Sequence, residues 1–190
     1  NGYESMSETG EITEDSFPLI VVVNGEKIRI HSNGEVELIY DNIVPPTSYD
    51  AEFDLSENQD ESIIAYVVEN KIIIIGVGKM KDYNYSNYPF ANLNNTITEV
   101  EVSEGITNLG AFIFGSVGNW SQLTNIQLPS TLQNIGQGVF YFTRNLNTVL
   151  YNGTKAEWIK VEVANVGWTY SNRYLSNQAT IICTDGKITP

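Results

Sequence analysis

ITEVEVSEGITNLGAFIF, residues 97–114, and LTNIQLPSTLQNIGQGVF, residues 123–140, are two copies of one unit. Val100 matches Ile126, Val102 matches Leu128, and Ile106 matches Leu132. Leu109 matches Ile135, Gly110 matches Gly136, and Phe114 matches Phe140, each pair being 26 residues apart. A third, partial copy starts at Leu146, with Val149 and Tyr151 lying 23 residues beyond Ile126 and Leu128. The offset is shorter because the loop of the first unit, 115–121, is longer than that of the second, 141–145. Each copy opens on a short strand whose alternate side chains point inward. That alternation leaves Glu99, Glu101, Asn125, Gln127, Thr148 and Leu150 on the outer face. A turn, an apolar pair, a glycine and an inward phenylalanine complete the unit. One such coil cannot bury its apolar side, whereas stacked coils can. The pattern predicts a mainly β solenoid of about 2.5 coils with few helical turns, and both its ends need caps.

Working outward, Ile63–Val68 and Lys71–Gly76 read as a hairpin around Glu69-Asn70. Four consecutive isoleucines, 72–75, predict a strand buried on both faces. Tyr83, Tyr85, Tyr88 and Phe90 follow in a loop that, with the hairpin, is expected to cover the open end of the stack. A second reading of those rings is a platform for stacking carbohydrate. After the repeats, Thr154 and Glu157 form a capping box ahead of Trp158 and Ile159, which predicts one short helix. Trp158, Trp168 and a strand at 179–183 are expected to close the stack. At the other end, Asn24-Gly25 and Asn33-Gly34 mark turns of a three-stranded meander, which Pro45-Pro46 ends. Residues 1–16 read as a flexible polar lead-in. The expected division is 1–45, acidic lead-in and meander; 46–96, hairpin and aromatic loop; and 97–190, repeats and closing cap.

The chain has 190 residues and a formal net charge of -13. Residues 1–62 hold 15 acidic and 2 basic side chains, and 63–190 hold 8 and 8, so the first third carries the whole excess. That charge argues against nucleic acid as a partner, and no apolar run approaches the roughly 18 residues of a membrane span. One histidine, His31, and one cysteine, Cys183, exclude an intramolecular disulfide and any His- or Cys-cluster metal site. The expectation is no metal and no cofactor.

The repeat resembles the BspA-like leucine-rich repeats of bacterial surface proteins, whose unit is I-x-x-V-x-I-P-x-x-V-x-x-I-G-x-x-A-F. Ile126, Leu128, Pro129, Leu132, Ile135, Gly136 and Phe140 fit it. Val139 and Ile113 stand where the family has Ala, and Ser103 where it has Pro. Val117 and Thr143 replace a cysteine often found three residues after the Phe. KIIIIGVGKMKDY, 71–83, is similar to the family's leading segment, and YNGTKAEW, 151–158, with ICTDG, 182–186, to its closing one. The resemblance covers about residues 49–190 and leaves 1–45 unmatched. It implies a short leucine-rich-repeat solenoid with a β-hairpin N-cap and a helix-plus-strand C-cap, preceded by a β-meander. It also implies export, display at the cell surface and adhesion to a host or microbial surface protein or glycan, without catalysis. A structural spacer and an accessory domain of a glycan-processing protein are the alternatives. A monomer is expected.

The candidate chemistry is thin. Gly76-Val77-Gly78-Lys79 lacks the spacing and the following helix of a phosphate loop and reads as a strand-ending turn. Asp54, Ser56, Asn58 and Asp60 alternate as in a calcium loop, but Gln59 and Ala65 stand where glycine and the bidentate glutamate belong. Glu99 and Glu101 lie about 7 Å apart on one face, on an open sheet that gives no desolvation to separate their acidities. Cys183 falls in an apolar strand and reads as a buried thiol. His31 reads as a solvated edge residue. Trp120, in the longer loop of the first coil, has two readings: an anchor for a partner, or a cover for the solenoid side. The candidate ligand-binding residues are therefore Glu99, Glu101, Trp120, Asn125, Gln127, Thr148 and Leu150.

Overall fold

The computed structural model describes residues 43–58, 62–91, 93, 95–114, 120–164 and 171–190, and the backbone of three strands before them. The expectations for the lead-in, His31 and Trp168 lie outside the described residues. The chain divides into two units, Asn1–Asp41 and Asn42–Pro190. In the first, β1 (Leu19–Val23), β2 (Glu26–Ile30) and β3 (Val36–Ile39) form the antiparallel meander, with Leu19 opposite Ile30 and Ile30 opposite Val36.

The second unit is built on a sheet of eight strands. In chain order these are β4 (Ala51–Asp54), β5 (Ile63–Val68), β6 (Lys71–Gly76), β8 (Glu99–Val102), β10 (Asn125–Leu128), β12 (Thr148–Tyr151), β14 (Thr180–Cys183) and β15 (Gly186–Ile188). They lie side by side in that order, parallel from β6 to β14 and antiparallel at the two margins. A second sheet of short parallel strands contains β7 (Gly78–Lys79), β9 (Ile106–Leu109), β11 (Asn134–Ile135) and β13 (Glu162–Val163). Each turn of the solenoid contributes one strand to each sheet.

The stack therefore has four turns where the repeat predicts about 2.5. The extra first turn is the second strand of the expected capping hairpin: β6 pairs parallel with β8, Lys71 opposite Glu99 and Ile73 opposite Glu101. The last turn is hidden in sequence because helix α1 (Lys155–Trp158) is inserted between β12 and β13. The four isoleucines also differ from expectation. Ile72 and Ile74 are fully buried, while Ile73 and Ile75 are only half-buried. Successive side chains point to opposite sides of the sheet, and in this strand only Ile72 and Ile74 point into the stack.

Inward residues of successive strands stack: Ile72, Val100, Ile126, Val149 and Ile181 in one row, Ile74, Val102 and Leu128 in the next. Phe114 and Phe140 lie 6.4 Å apart between ring centres, as the repeat register requires. Phe90 continues their row, stacked on Phe114 at 6.1 Å. It is thus the phenylalanine of the first turn. The repeat glycines allow the coils to approach. A Cβ on Gly110 would sit 1.9 Å from the carbonyl oxygen of Lys81, and one on Gly136 would sit 2.6 Å from the amide of Ala111.

At the closing end, the capping box forms as its spacing predicts. Thr154 Oγ1 accepts from the Glu157 amide at 3.2 Å, and Glu157 Oε2 accepts from the Thr154 amide at 2.7 Å. A second helix, α2 (Arg173–Asn177), was not expected; it buries only Leu175, so its residues carry little apolar period. Asn172, just before it, is fully buried. Its Oδ1 accepts from the Phe140 amide, and its Nδ2 donates to the carbonyls of Gly136 and Ala164, all at 2.9 Å. One side chain thus satisfies backbone groups of the third and fourth turns.

Candidate binding face

The outer face follows directly from the register. Lys71, Glu99, Asn125, Thr148 and Thr180 form one row across the five parallel strands. Ile73, Glu101, Gln127, Leu150 and Ile182 form the next. The six strand residues expected on this face are all on it. Asn125 and Leu150 are exposed, and Glu99, Glu101, Gln127 and Thr148 are half-buried among their neighbours.

Lys71 changes the electrostatics of the face. Its Nζ lies 3.9 Å from Glu99 Oε1 and also hydrogen-bonds Glu101. The two carboxylates share one ammonium group, which suits a solvated ion cluster better than a pair of catalytic acids. Lys71 lies in the expected cap segment; the signal that would have found it is the parallel pairing of that strand with the repeat.

A polar rim runs above the rows. The carboxylate of Glu104 accepts from the Ser130 amide and hydroxyl, both at 2.9 Å, and from Asn152 Nδ2 at 3.0 Å. Asn152 Oδ1 in turn accepts from Gln127 Nε2 at 3.4 Å. Glu104 and Asn152 therefore tie the second, third and fourth turns together and hold the Gln127 amide. Their roles were not visible in the repeat, because neither position keeps its residue type from copy to copy.

Trp120 is not on this face. It is fully buried, edge-on to Phe114 at 5.4 Å and to Phe90 at 6.2 Å. Its Nε1 has no hydrogen-bond partner among the described residues. This corrects the anchor reading: a side chain with no accessible surface offers a partner no area, and the large indole instead fills the space beside the phenylalanine row. The tyrosine cluster before the repeats also separates. Phe90 and Tyr88 are buried, Tyr83 is half-buried, and Tyr85 is 43% exposed.

The remaining candidates have ordinary structural roles. Gly76 and Gly78 join β6 to β7, and a Cβ on Gly76 would meet the Ser62 carbonyl oxygen at 2.1 Å. Asp54 Oδ1 accepts from the Ser56 amide at 2.9 Å, closing a tight local turn. Cys183 is buried, and that burial pushes its thiol pKa up, away from the reactive thiolate. Burial, helped by the nearby Glu157 carboxylate, pushes the Tyr151 phenol up to about 12. Its hydroxyl donates to the Ser130 carbonyl at 3.3 Å. Among the described residues, no three His, Cys, Asp or Glu side chains come together as a metal site. No helix among them is long and apolar enough to cross a membrane.

The profile of the BspA-type leucine-rich repeat region matches residues 82–161 in six copies. This chain carries a BspA-type leucine-rich repeat region. Among solved structures, a leucine-rich repeat protein from Eubacterium ventriosum ATCC 27560 is 27% identical to it, with a TM-score of 0.47. The match covers 53% of this chain and 26% of that one, so the chain spans about a quarter of that protein. No curated protein matches. BspA-type repeats are protein-interaction or surface modules, commonly found at bacterial surfaces. Beyond the matched residues, β13 completes the second sheet, and β14 and β15 form the closing margin of the first.

Proposed function

We propose that the chain is a non-catalytic adhesion module that recognises a host or microbial surface protein or glycan through the outer face of the eight-stranded sheet. The proposal includes secretion or cell-surface display and action as a monomer. The supporting observation is the ladder of in-register parallel strands. It sets Glu99, Asn125 and Thr148 in one row, and Glu101, Gln127 and Leu150 in the next. Such a grid offers hydrogen-bonding amides at strand spacing around an exposed leucine, which suits an extended partner. A non-catalytic role fits the shared ion cluster of Lys71, Glu99 and Glu101 and the buried thiol of Cys183.

The test is to probe an array of matrix proteins and glycans with the intact chain and with Gln127→Lys. A signal that the substitution removes supports the outer face. Signals unchanged by it, or an array with none, count against the proposal.

A further inference from the structure

We infer that the outer face of β5 and β6 docks a basic amphipathic helix of a protein partner; this inference deepens the reading of the outer face as a binding surface and rests on it. From β8 onward, the outward residues are mostly polar. On β5 and β6 they are, besides Lys71, the apolar Ile64, Tyr66, Val68, Ile73 and Ile75, all half-buried and none facing the core. Register places Ile64 opposite Ile75 and Tyr66 opposite Ile73, so these side chains form one apolar stripe two strands wide. Tyr49, 47% exposed, extends it by packing its ring 5.0 Å from that of Tyr66.

Carboxylates border this stripe on both sides. On β4, Glu52 stands opposite Tyr66, and Asp54 opposite Ile64. On β8, Glu99 stands opposite Lys71, and Glu101 opposite Ile73. Lys71, the one basic side chain within this grid, is engaged by Glu99 and Glu101. The arrangement is an apolar centre whose rim is net negative even with Lys71 counted, the usual layout of a protein interface with a charge bias at the rim.

Width selects the partner. The two acidic strands are three strand spacings apart, about 14 Å. An α-helix with its side chains is about 10–12 Å across. A helix lying between them can set leucines or isoleucines on the stripe while lysines or arginines on its flanks reach carboxylates on either side. A second copy of this face would instead bring carboxylate rows against carboxylate rows, which like-charge repulsion opposes.

The experiment titrates the intact chain into a fluorescent peptide of about 18 residues made of leucine and lysine in helical period. A scrambled peptide of the same composition is the control for charge alone. The patterned peptide is expected to bind at least about tenfold tighter than the scrambled one. Ile73→Lys should weaken it about tenfold or more, and Glu52→Lys about threefold, with an effect that fades in added salt. Gln133→Lys, beside the second sheet and away from the outer face, should leave it unchanged. Should Ile73→Lys melt early, Tyr66→Ser on the neighbouring strand is the second variant. Equal binding of the two peptides, or patterned binding that ignores Ile73 and Tyr66, overturns the inference. So does a dimer in sedimentation that Ile73→Lys dissolves, since the occupant is then a second copy. Peptide binding lost in Leu150→Lys but not in Ile73→Lys overturns the helix site while supporting the outer face. Failure of the peptide alone leaves the outer-face reading to the array.

Discussion

Phe140 and Phe114 hold the same place in successive turns, both fully buried and ring against ring. Phe140→Ala should cost about 3–5 kcal/mol in chemical denaturation, as truncation of a buried phenylalanine does. Gln137→Ala, three residues away and half-exposed, should stay within about 0.5 kcal/mol. Equal effects would refute the repeat register. Tyr151 adds a pH signature. Its folded pKa, about 12, lies above the ordinary value of 10.0, so the folded state favours the neutral phenol. Its contribution is fully present below pH 10 and is lost as pH rises toward 12. Tyr151→Phe should therefore lose less stability than the parent across that window, measured by denaturant titration at each pH. At this scale, the inward residues of the repeat were legible because equal spacing exposes equal roles. Trp120 was not, because a tryptophan between small loop residues fits an exposed anchor and a buried plug alike. Only the position of Phe90 and Phe114 around it decides for burial.

Among the elements, the two central coils and the capping box of α1 were legible from spacing and residue type. The first turn was not, because its phenylalanine, Phe90, precedes Phe114 by 24 residues rather than 26, and its strand also belongs to a hairpin. Strand β6 is both hairpin arm and first rung. Deleting residues 63–96 should therefore remove a whole turn, leaving the edge of β8 and the ring of Phe114 uncovered. Uncovered strand edges associate, so the deletion should aggregate in light scattering, whereas a monomer melting at the parent temperature would contradict the assignment. The closing turn depends on Asn172 rather than on apolar period. Asn172→Ala strands the Phe140 amide and the Gly136 and Ala164 carbonyls and should cost about 2–3 kcal/mol in denaturation. Asn172→Asp, which turns a buried carboxylate oxygen toward the Gly136 and Ala164 carbonyls, should cost at least as much as alanine near neutral pH. Parent-like stability in Asn172→Ala would mean that these three bonds contribute nothing. No composition rule marks one asparagine among many as a buried cross-link, so this contact is not legible in the sequence.

For the whole molecule, composition excluded more than it identified. One histidine and one cysteine leave no His- or Cys-cluster metal site and no intramolecular disulfide, and a net charge of -13 argues against nucleic acid as a partner. The parallel ladder then placed the expected outward residues on one surface, while adding Lys71 and the apolar hairpin face that the repeat alone did not show. Charge acts here as a modifier rather than as the source of affinity, since exposed ion pairs contribute about 0–1 kcal/mol each. The proposed function turns on whether that surface holds the partner. The measurement is the dissociation constant of an array-selected partner for three variants of the intact chain. These are Leu150→Lys on the outer face, Gln133→Lys beside the second sheet, and Glu37→Lys in the meander. Leu150→Lys should weaken binding about tenfold or more, and the other two should leave it within about twofold. Loss of binding in Glu37→Lys, with Leu150→Lys binding as the parent does, would make the meander the binding module and the solenoid its stalk.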